Sequence, residues 1–292
     1  MAKLGTDPYK GVRDFYPEDM AIQNYIFNTW RKTAEGKGYV EYSASILEPA
    51  ELYKNKTSEE IVNEQMFTFT DRGEREVALR PEMTPTLARM VAARRRNLKF
   101  PLRWYSIPNV FRYERPQRGR KREHWQLNCD LMGMAGVEAE IEIISLAHAI
   151  MKAFGAKDED FSIQINSRKA IPEGVTMETI RKIDRGEEID INIDETDEIR
   201  ALLEKLNEKD IKNVKFNPKI VRGFDYYTGM VFEVFDTHEE NRRSLFGGGR
   251  YDNLLEMFDV DPIPAVGFGM GDITLRDFLE THKLGPYASR TK

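Results

Sequence analysis

The most informative stretch of the chain is Phe111-Arg-Tyr-Glu-Arg-Pro-Gln-Arg-Gly-Arg-Lys-Arg-Glu-His-Trp-Gln-Leu-Asn-Cys-Asp130. Its two ends have the pattern of strands, and the loop between them contains Pro116 and Gly119. Residues 112–123 hold six bases and two acids, a net charge of +4 in a chain whose net charge is −5. A solvated hairpin tip would explain the charge alone. The fixed charge and forked donors of arginine also suit a phosphate or a carboxylate, so the loop is a candidate phosphate clamp.

Around this hairpin, predicted strands follow one another in further hairpins, with helices interspersed irregularly. The predicted helices cover residues 18–36, 81–96, 137–154, 199–208 and 272–282. The predicted strands cover residues 40–46, 66–70, 76–80, 103–107, 110–115, 125–132, 161–166, 220–226, 231–235 and 265–270. The predicted strands at 66–70 and 76–80 form a hairpin, with Gly73 in the tight position of its turn. This order favours an α+β fold, an antiparallel or mixed sheet flanked by helices, over a doubly wound parallel sheet.

The composition excludes several classes of protein. The 292 residues predict about two domains, and 40% hydrophobic with 32% charged residues is typical of a globular chain. A single cysteine, Cys129, excludes a disulfide framework, and four scattered histidines argue against a histidine-rich metal site. No run approaches the roughly 18 apolar residues of a membrane span, and the start does not resemble a signal peptide. We therefore expect a cytoplasmic protein without a membrane partner.

The segment Ala78-Leu-Arg-Pro-Glu-Met-Thr-Pro-Thr-Leu-Ala-Arg89 places Glu82 and Thr84 at a predicted strand-to-helix junction. A carboxylate at this point is able to receive an ammonium group while the first N–H groups of the helix remain free. An ordinary helix start, in which Glu82 satisfies the helix dipole, explains the same residues. The residues alone leave both interpretations open.

A third segment, Val221-Arg-Gly-Phe-Asp-Tyr-Tyr-Thr-Gly-Met230, is hard to explain by packing. It brings a base, an acid, two tyrosines and a threonine between two glycines. Neighbouring residues of a strand point to opposite faces, so we expect only one of Tyr226 and Tyr227 to serve a given pocket.

Two glycine clusters follow. The run Gly247-Gly-Gly-Arg-Tyr-Asp252 is interpreted as the opening of a helix, where bare backbone is able to approach a ligand closely. The run Gly267-Phe-Gly-Met-Gly271 has the wrong spacing, and lies too late in the chain, for a dinucleotide fingerprint.

Taken together, these segments resemble the histidyl-tRNA synthetase family, within the class II aminoacyl-tRNA synthetases. The matching motifs, in family order, are Leu79-Arg-Pro-Glu-Met-Thr84, Phe111-Arg-Tyr-Glu-Arg-Pro-Gln117, Arg222-Gly-Phe-Asp-Tyr-Tyr-Thr-Gly229 and Gly248-Gly-Arg-Tyr-Asp252. The third motif is the most specific, because it marks the histidine enzyme within class II. The likeness covers about residues 11–282.

The resemblance implies the class II catalytic fold, an antiparallel sheet with flanking helices, in a homodimer. It also implies a reaction in which L-histidine and ATP give histidyl-adenylate, with Mg²⁺ present, and the histidyl group passes to the acceptor end of tRNA(His). Arg112 and Arg222 would be catalytic, placed on opposite sides of the α-phosphate. The implied histidine-binding residues are Glu82, Thr84, Arg112, Gln126, Asp130, Arg222, Tyr226 and Tyr227. The implied ATP-binding residues are Arg112, Glu114, Arg120 and Arg250, and no metal ligand is assigned.

The chain departs from the family pattern at two positions. Ser45 stands where a proline of the dimer-forming strand is expected. Thr274 stands where the arginine that grips the γ-phosphate is expected. Arg276 is two helical residues away, about 200° around the helix, and does not replace it. Either ATP binds more weakly, or Arg250 or another base compensates.

The predicted domains follow from the same resemblance. Residues 1–160 and 218–285 form the catalytic core, residues 161–217 form a strand and a shortened insertion, and residues 286–292 form a tail. Residues 184–198 carry eight acids and one base, which indicates a solvated insertion rather than core. From the resemblance, we expect the sequence to lack the anticodon-binding domain of the family, either as a catalytic fragment or as a minimal enzyme that reads tRNA through its acceptor end.

Two other interpretations compete with a ligase. A catalytically inactive paralogue, such as the regulatory subunit of ATP phosphoribosyltransferase, also lacks that domain, and Thr274 favours it. Against it, a regulator has no need of Arg112 and Arg222 facing each other. A free RNA-binding module is disfavoured by the net charge of −5.

Overall fold

The computed structural model describes residues 4–54, 61–172, 174–184, 187, 193–221, 226–241 and 243–288. In these ranges the α-helices are α1 (Pro17–Gly36), α2 (Glu51–Lys54), α3 (Thr84–Arg94), α4 (Val137–Ala153), α5 (Met177–Asp184), α6 (Asp197–Glu208) and α7 (Asp272–Thr281). The strands are β1 (Val40–Glu41), β2 (Leu47–Pro49), β3 (Phe67–Thr70), β4 (Glu76–Leu79), β5 (Leu102–Ser106), β6 (Asn109–Phe111), β7 (Glu123–Met132), β8 (Phe161–Ser167), β9 (Val214–Phe216), β10 (Met230–Asp236), β11 (Ser244–Arg250) and β12 (Ala265–Gly271). None of these helices is both long and apolar enough to cross a membrane.

A large sheet forms the centre of the molecule. Its strand order is β1-β5-β7-β12-β11-β10-β8-β9, and β6 pairs with β7. Neighbouring strands are antiparallel except at the two edges, where β1 pairs with β5 and β8 pairs with β9 in parallel. The predicted antiparallel or mixed sheet with flanking helices is confirmed.

Hydrophobic packing differs between the two faces of this sheet. On one face, α1, α4, α6 and α7 share a continuous core with β7, in which Trp30, Ile144 and Phe278 are completely buried. On the other face, α3 packs in a second cluster through Leu87 and Val91. Because strand residues alternate between the faces, every second residue of β7 remains available for a site on this second side.

A small sheet of three strands, in the order β2-β4-β3, lies beside the large one. Arg80, directly after β4, is 6% exposed and joins the two sheets. Its guanidinium donates to the Asn109 carbonyl and side chain at 2.8 and 3.0 Å, and to the Ala44 carbonyl at 2.9 Å. These bonds position the residues that follow Arg80, which enter the candidate site.

Several predicted elements differ from the structure. Of the strand predicted at 40–46, only β1 forms, and β2 begins after it at Leu47, because the carbonyls of Ala44 and Ser45 bind Arg80 instead of a neighbouring strand. The strand predicted at 110–115 ends at Phe111. In the β3–β4 hairpin, the residue with positive φ is Glu74 rather than Gly73, and Asp71 caps the turn by accepting from the Gly73 N–H.

The glycine run at 247–249 lies inside β11 and not at a helix start, and the next helix is a short 3₁₀ turn at Leu254–Phe258. Ile220, Val221 and Tyr226 lie outside strands, and residues 222–225 of the predicted strand are outside the described residues.

The predicted insertion within residues 161–217 belongs partly to the core, in the part that follows the acidic run at 184–198. Ile199, Leu202 and Leu206 recur at helical spacing along α6 and are buried against α4. Strand β9 extends the large sheet beside β8. The acidic residues of this segment mark its solvated side, whereas its apolar stripe joins the main core.

Candidate active site

A cavity of about 1020 Å³, counting its open mouth, lies along β7 on the sheet face opposite α4. The even-numbered residues of this strand line it: His124, Gln126, Asn128 and Asp130. The odd-numbered residues lie in the core on the helix side. At about 3.3 Å per residue, the polar row extends over about 20 Å. One strand therefore sets the length and the polarity of the site.

Glycines form the floor of the cavity. Three of them lie on β12, opposite the polar residues of β7: Gly267, Gly269 and Gly271. A Cβ atom on Gly269 would lie 1.6 Å from Nε2 of Gln126, and one on Gly267 would lie 2.4 Å from Oδ1 of Asp130. Larger residues would occupy the space that these side chains and a ligand need. The glycine run at 267–271 is thus strand backbone beneath a site.

One end of the cavity is built around Asp130, which is 3% exposed and accepts a hydrogen bond from the Tyr251 hydroxyl. Burial raises the pKa of Asp130 to about 7, although the bond from Tyr251 acts in the opposite direction. Near neutral pH this carboxyl is poised between its two forms. It suits a heterocyclic ring that both donates and accepts hydrogen bonds.

Tyr226 and Tyr227 both line this end of the cavity, with ring centroids 4.9 Å apart. The prediction that only one of them serves a pocket is wrong. The alternation of a strand does not apply, because residues 226–228 form a turn and irregular backbone. Both rings are consequently free to face the same space.

The Tyr226 hydroxyl donates to the Glu82 carboxylate at 3.1 Å. Glu82 is 4% exposed and precedes α3, whose first residue is Thr84. The helix N-cap is Met83, which makes no side-chain capping bond. Glu82 and Thr84 both line the cavity, so a buried carboxylate and a helix start face one ligand space.

Arg112 lies between the two ends of the site. Its Nε donates to the Pro81 carbonyl at 2.9 Å, and the side chain lines the cavity. Burial, together with the nearby charges of Arg112 and Arg13, lowers the pKa of His124 to about 3. His124 is therefore neutral at physiological pH, and Arg112 carries the positive charge at this point.

The tip of the arginine-rich loop contacts α7, although its arginine side chains remain largely exposed. Its tip is a Gln117–Arg120 bridge around Gly119, which has a φ of +77°. Arg118 donates to both carboxylate oxygens of Asp277 on α7, at 2.9 and 3.1 Å. This contact holds the tip beside the cavity.

The far end of the cavity is rich in cations. Arg120 and Lys121 line it together with Glu114, and the guanidinium of Arg120 is 3.6 Å from the Glu114 carboxylate. The start of α7 also contributes to this end through Gly271 and Thr274. A helix N-terminus beside two cations favours an anionic ligand group.

Most predicted site residues converge on this one cavity: Glu82, Thr84, Arg112, Glu114, Arg120, Gln126, Asp130, Tyr226 and Tyr227. Arg222 lies outside the described residues. Arg250 is placed elsewhere, because its guanidinium donates to Glu140 at 2.6 Å and to Asp252 at 3.0 Å. It is 8% exposed and does not line the cavity, so the structure does not support its predicted contact with ATP.

Among the lining residues that sequence reasoning missed are four polar ones: Lys121, His124, Asn128 and Tyr251. The alternation of polar and apolar residues at 124–131 was a signal for two of them, since Gln126 and Asp130 lie on the same strand face. Tyr251 had no such signal, because the glycines before it were interpreted as the opening of a helix.

Thr274 and Arg276 behave as their spacing predicts. Thr274 lines the cavity and donates to the Leu245 carbonyl at 2.7 Å. Arg276 points away, toward the Tyr287 hydroxyl at 2.9 Å and the Asp19 carboxylate at 3.0 Å. Among the described residues, no group of three His, Cys, Asp or Glu side chains is close enough to hold a metal ion.

Comparison with known proteins agrees with this geometry. The protein-family model for histidyl-tRNA synthetase matches residues 11–167 and 167–273. A histidine–tRNA ligase of Leptospira biflexa is 43% identical, over 99% of this chain and 78% of the relative. The chloroplastic and mitochondrial histidine–tRNA ligase of Arabidopsis thaliana is 37% identical, over 97% of this chain and 68% of the relative.

Solved structures share the fold. Apo histidyl-tRNA synthetase of S. aureus superposes with a TM-score of 0.71 at 26% identity, over 98% of this chain and 72% of that one. A Bacillus halodurans protein, described as an ATP phosphoribosyltransferase regulatory subunit/histidyl-tRNA synthetase, superposes with a TM-score of 0.77 over 95% of this chain and 84% of that one. Its 24% identity supports the fold alone.

The sheet, its flanking helices and the cavity along β7 define the catalytic fold of a class II aminoacyl-tRNA synthetase. Within that class, the family model and the relatives agree on one amino acid. The chain belongs to the histidyl-tRNA synthetase family.

Proposed function

We propose that this chain catalyses the ATP-dependent activation of L-histidine and the transfer of the histidyl group to tRNA(His). One observation carries the proposal: a single strand, β7, joins a buried acid-and-tyrosine end to a cationic end within one cavity. The buried polar end suits an amino acid, the cationic end suits a nucleoside triphosphate, and the reaction requires the two substrates side by side. The activity named for the relatives is the same reaction.

In the first step, an oxygen of the histidine carboxylate attacks the α-phosphorus of ATP. A carboxylate–phosphorus bond forms, the bond to the β-phosphate oxygen breaks, and pyrophosphate leaves. The nucleophile is already ionised, so this step requires positioning and positive charge more than a general base. Arg112, between the two ends of the cavity, is the described residue placed for this role, and Arg222 is proposed to act opposite it.

The amino-acid end would recognise histidine by hydrogen bonds. Asp130 is proposed to bind one imidazole nitrogen, beside Tyr226 and Tyr227, while Glu82 and Thr84 receive the ammonium group. Removing the ring nitrogens from the ligand would leave buried polar groups unpaired, which penalises other amino acids strongly. Gln126 would orient the substrate between the two ends.

The cationic end would bind the nucleotide. Arg120 and Glu114 line it and are proposed to contact ATP, as the resemblance implies. Mg²⁺ is proposed to arrive with the phosphates, since it keeps several waters and is held largely by substrate oxygens in nucleotide sites. Binding of the acceptor end of tRNA(His) and a cytoplasmic location belong to the same proposal.

A homodimer is proposed through the small sheet. Strand register places its apolar residues on one shared face: Leu47, Pro49, Phe67, Phe69, Val77 and Leu79. Leu47 is 43% exposed and Phe69 is 48% exposed. An apolar sheet face with exposed members favours burial against a second copy. Ser45, at the position of the family proline, lies just before β2, and its hydroxyl oxygen accepts a hydrogen bond from the Leu47 N–H at 3.2 Å.

Histidine-dependent exchange of pyrophosphate into ATP tests the proposal. The wild-type chain is expected to show exchange, and Arg112→Ala is expected to reduce it at least about 100-fold, the loss typical of one transition-state donor. Arg200→Ala is a matched control, because Arg200 is exposed on α6 and, among the described residues, pairs with Asp197. Histidine binding without any exchange would contradict the proposal and support the regulatory paralogue.

A further inference from the structure

Arg243, in the turn between β10 and β11, lies at the cationic end of the cavity although no motif includes it. Its Nη1 is 3.9 Å from the position that a Cβ atom on Gly119 would take, and Cγ2 of Thr274 is also 3.9 Å from that point. The arginine-rich loop, the start of α7 and Arg243 therefore meet at one place. Gly119 and Thr274 both line the cavity, so Arg243 lies at its rim.

The hydrogen bonds of Arg243 leave most of its donors available. Nη1 donates to the carbonyl of Arg118 at 2.8 Å, which fixes the guanidinium beside the loop tip. The side chain is exposed, and within the described part of the chain it forms no ion pair. A guanidinium has five N–H donors in a fork that matches phosphate oxygens. Among the described residues, no carboxylate pairs with this charge at the rim.

The other arginines around Thr274 are engaged elsewhere. Arg118 is paired with Asp277, and Arg276 is paired with Asp19. Arg120 faces the cavity but lies near Glu114. Of these side chains, Arg243 is the one beside Thr274 whose charge no carboxylate balances.

Resting on the proposed function, we propose that Arg243 binds the terminal phosphates of ATP, the β- and γ-phosphates. The guanidinium of Arg243 and the short side chain of Thr274 adjoin the same point, the Cβ position of Gly119. Binding there places positive charge on the pyrophosphate that leaves when histidine is activated. Arg243, in the turn between β10 and β11, would thus supply the positive charge that the family arginine at position 274 would provide.

The experiment compares the binding of ATP and AMP by equilibrium dialysis, because only ATP carries the phosphates that Arg243 would contact. Arg243→Ala and Arg243→Gln are expected to weaken ATP binding about 10- to 100-fold, the range for hydrogen bonds to charged groups. AMP binding is expected to stay unchanged. Arg200→Ala is the control for loss of an exposed arginine.

A second arm moves the charge to the neighbouring element. Thr274→Arg, introduced into Arg243→Ala, is expected to restore the preference for ATP over AMP, since both side chains adjoin Gly119. An unchanged ATP affinity in Arg243→Ala overturns the inference. Equal weakening of ATP and AMP also overturns it, because Arg243 would then act only by holding the loop through Arg118.

These outcomes are separable from those of the proposed function. A wild-type chain without pyrophosphate exchange, whose preference for ATP over AMP depends on Arg243, contradicts the ligase and supports the phosphate site. Normal exchange with an ATP preference that ignores Arg243 supports the ligase and contradicts the site.

Discussion

The hydroxyl of Tyr251 donates a hydrogen bond to the carboxyl of Asp130, and each side chain is only 3% exposed. Burial, and then the charge of Asp130, hold the pKa of Tyr251 well above its ordinary value. Burial also raises the pKa of Asp130 to about 7. The amino-acid end of the site therefore carries a carboxyl that gives up its proton near neutral pH and not in acid.

Asp130→Asn is expected to stabilise the fold at high pH. The pKa of Asp130 rises from 3.8 in the unfolded chain to about 7 in the folded one, so ionisation costs the folded state up to about 4 kcal/mol. The gain should be complete above pH 7 and absent below about pH 4. Thermal unfolding of both proteins at pH 4.5 and pH 8 measures it, and a larger gain at the lower pH would contradict the assignment.

The same variant is expected to lose affinity for histidine while its stability rises. An amide retains an acceptor for Tyr251 but carries no charge for an imidazole N–H, and a lost charged hydrogen bond weakens binding about 10- to 100-fold. The KM for histidine in pyrophosphate exchange measures the loss. A KM equal to that of the wild type would exclude Asp130 from ring recognition.

Gly269→Ala and Gly248→Ala are expected to fail in different ways. The new methyl at 269 would meet Nε2 of Gln126 at 1.6 Å, the movable end of a side chain, so the fold should survive while exchange activity falls at least about tenfold. The methyl at 248 would meet the Gly267 carbonyl oxygen at 2.0 Å, which is fixed backbone. It should cost about 1–3 kcal/mol of stability or more.

Activity assays and chemical denaturation distinguish these two variants. Gly36→Ala is the control, because a Cβ there meets no atom within 4 Å. If Gly269→Ala kept full activity, the close approach of Gln126 to bare backbone would have no role in binding.

Arg250→Ala is expected to affect stability and not ATP recognition. It would leave the Glu140 carboxylate buried without its partner, and breaking a buried ion pair typically costs about 3–5 kcal/mol. Denaturant unfolding measures the loss, and the KM for ATP should remain within about threefold of the wild type in the variant that still folds. Replacing the pair as Arg250→Met with Glu140→Leu should recover much of the stability. A selective rise in the KM for ATP would restore Arg250 to the nucleotide site.

Leu47→Glu and Phe69→Glu are expected to convert a dimer to a monomer. Each places a charge on the apolar face of the small sheet, where a partner copy would bury it. Sedimentation velocity measures the change, and Val40→Glu serves as the control because Val40 is 62% exposed on the large sheet instead. A dimer that persists in both variants would place the interface elsewhere.

Much of the sheet could be predicted because periodicity and hairpin chemistry are local. The long helix at 137–154 was readable from Ile141, Ile144, Met151 and Phe154 on one face, and all four are buried. The polar row of β7 was partly readable from alternation. The local pattern does not predict where a distant side chain binds the backbone in place of a neighbouring strand, as Arg80 does at the Ala44 carbonyl.

The sequence predicted many of the residues that line the cavity, but it did not predict how they contact one another. Glu82, Arg112 and Asp130 were identified from motifs that resemble a family, whereas composition alone left each of them ambiguous. The pairing of Arg250 with Glu140 joins residues 110 positions apart, and no spacing rule reveals it. The same holds for Arg243, which is far from Gly119 in the sequence and lies near it only in the folded chain.

The glycine floor has a consequence for how the protein chooses its ligands. The N–H and C=O groups of β12 are committed to β7 and β11, so the floor offers neither donors nor acceptors to a bound molecule. Every directional contact must come from the walls. A change of ligand specificity therefore requires the replacement of only a few wall side chains, while the glycine floor stays the same.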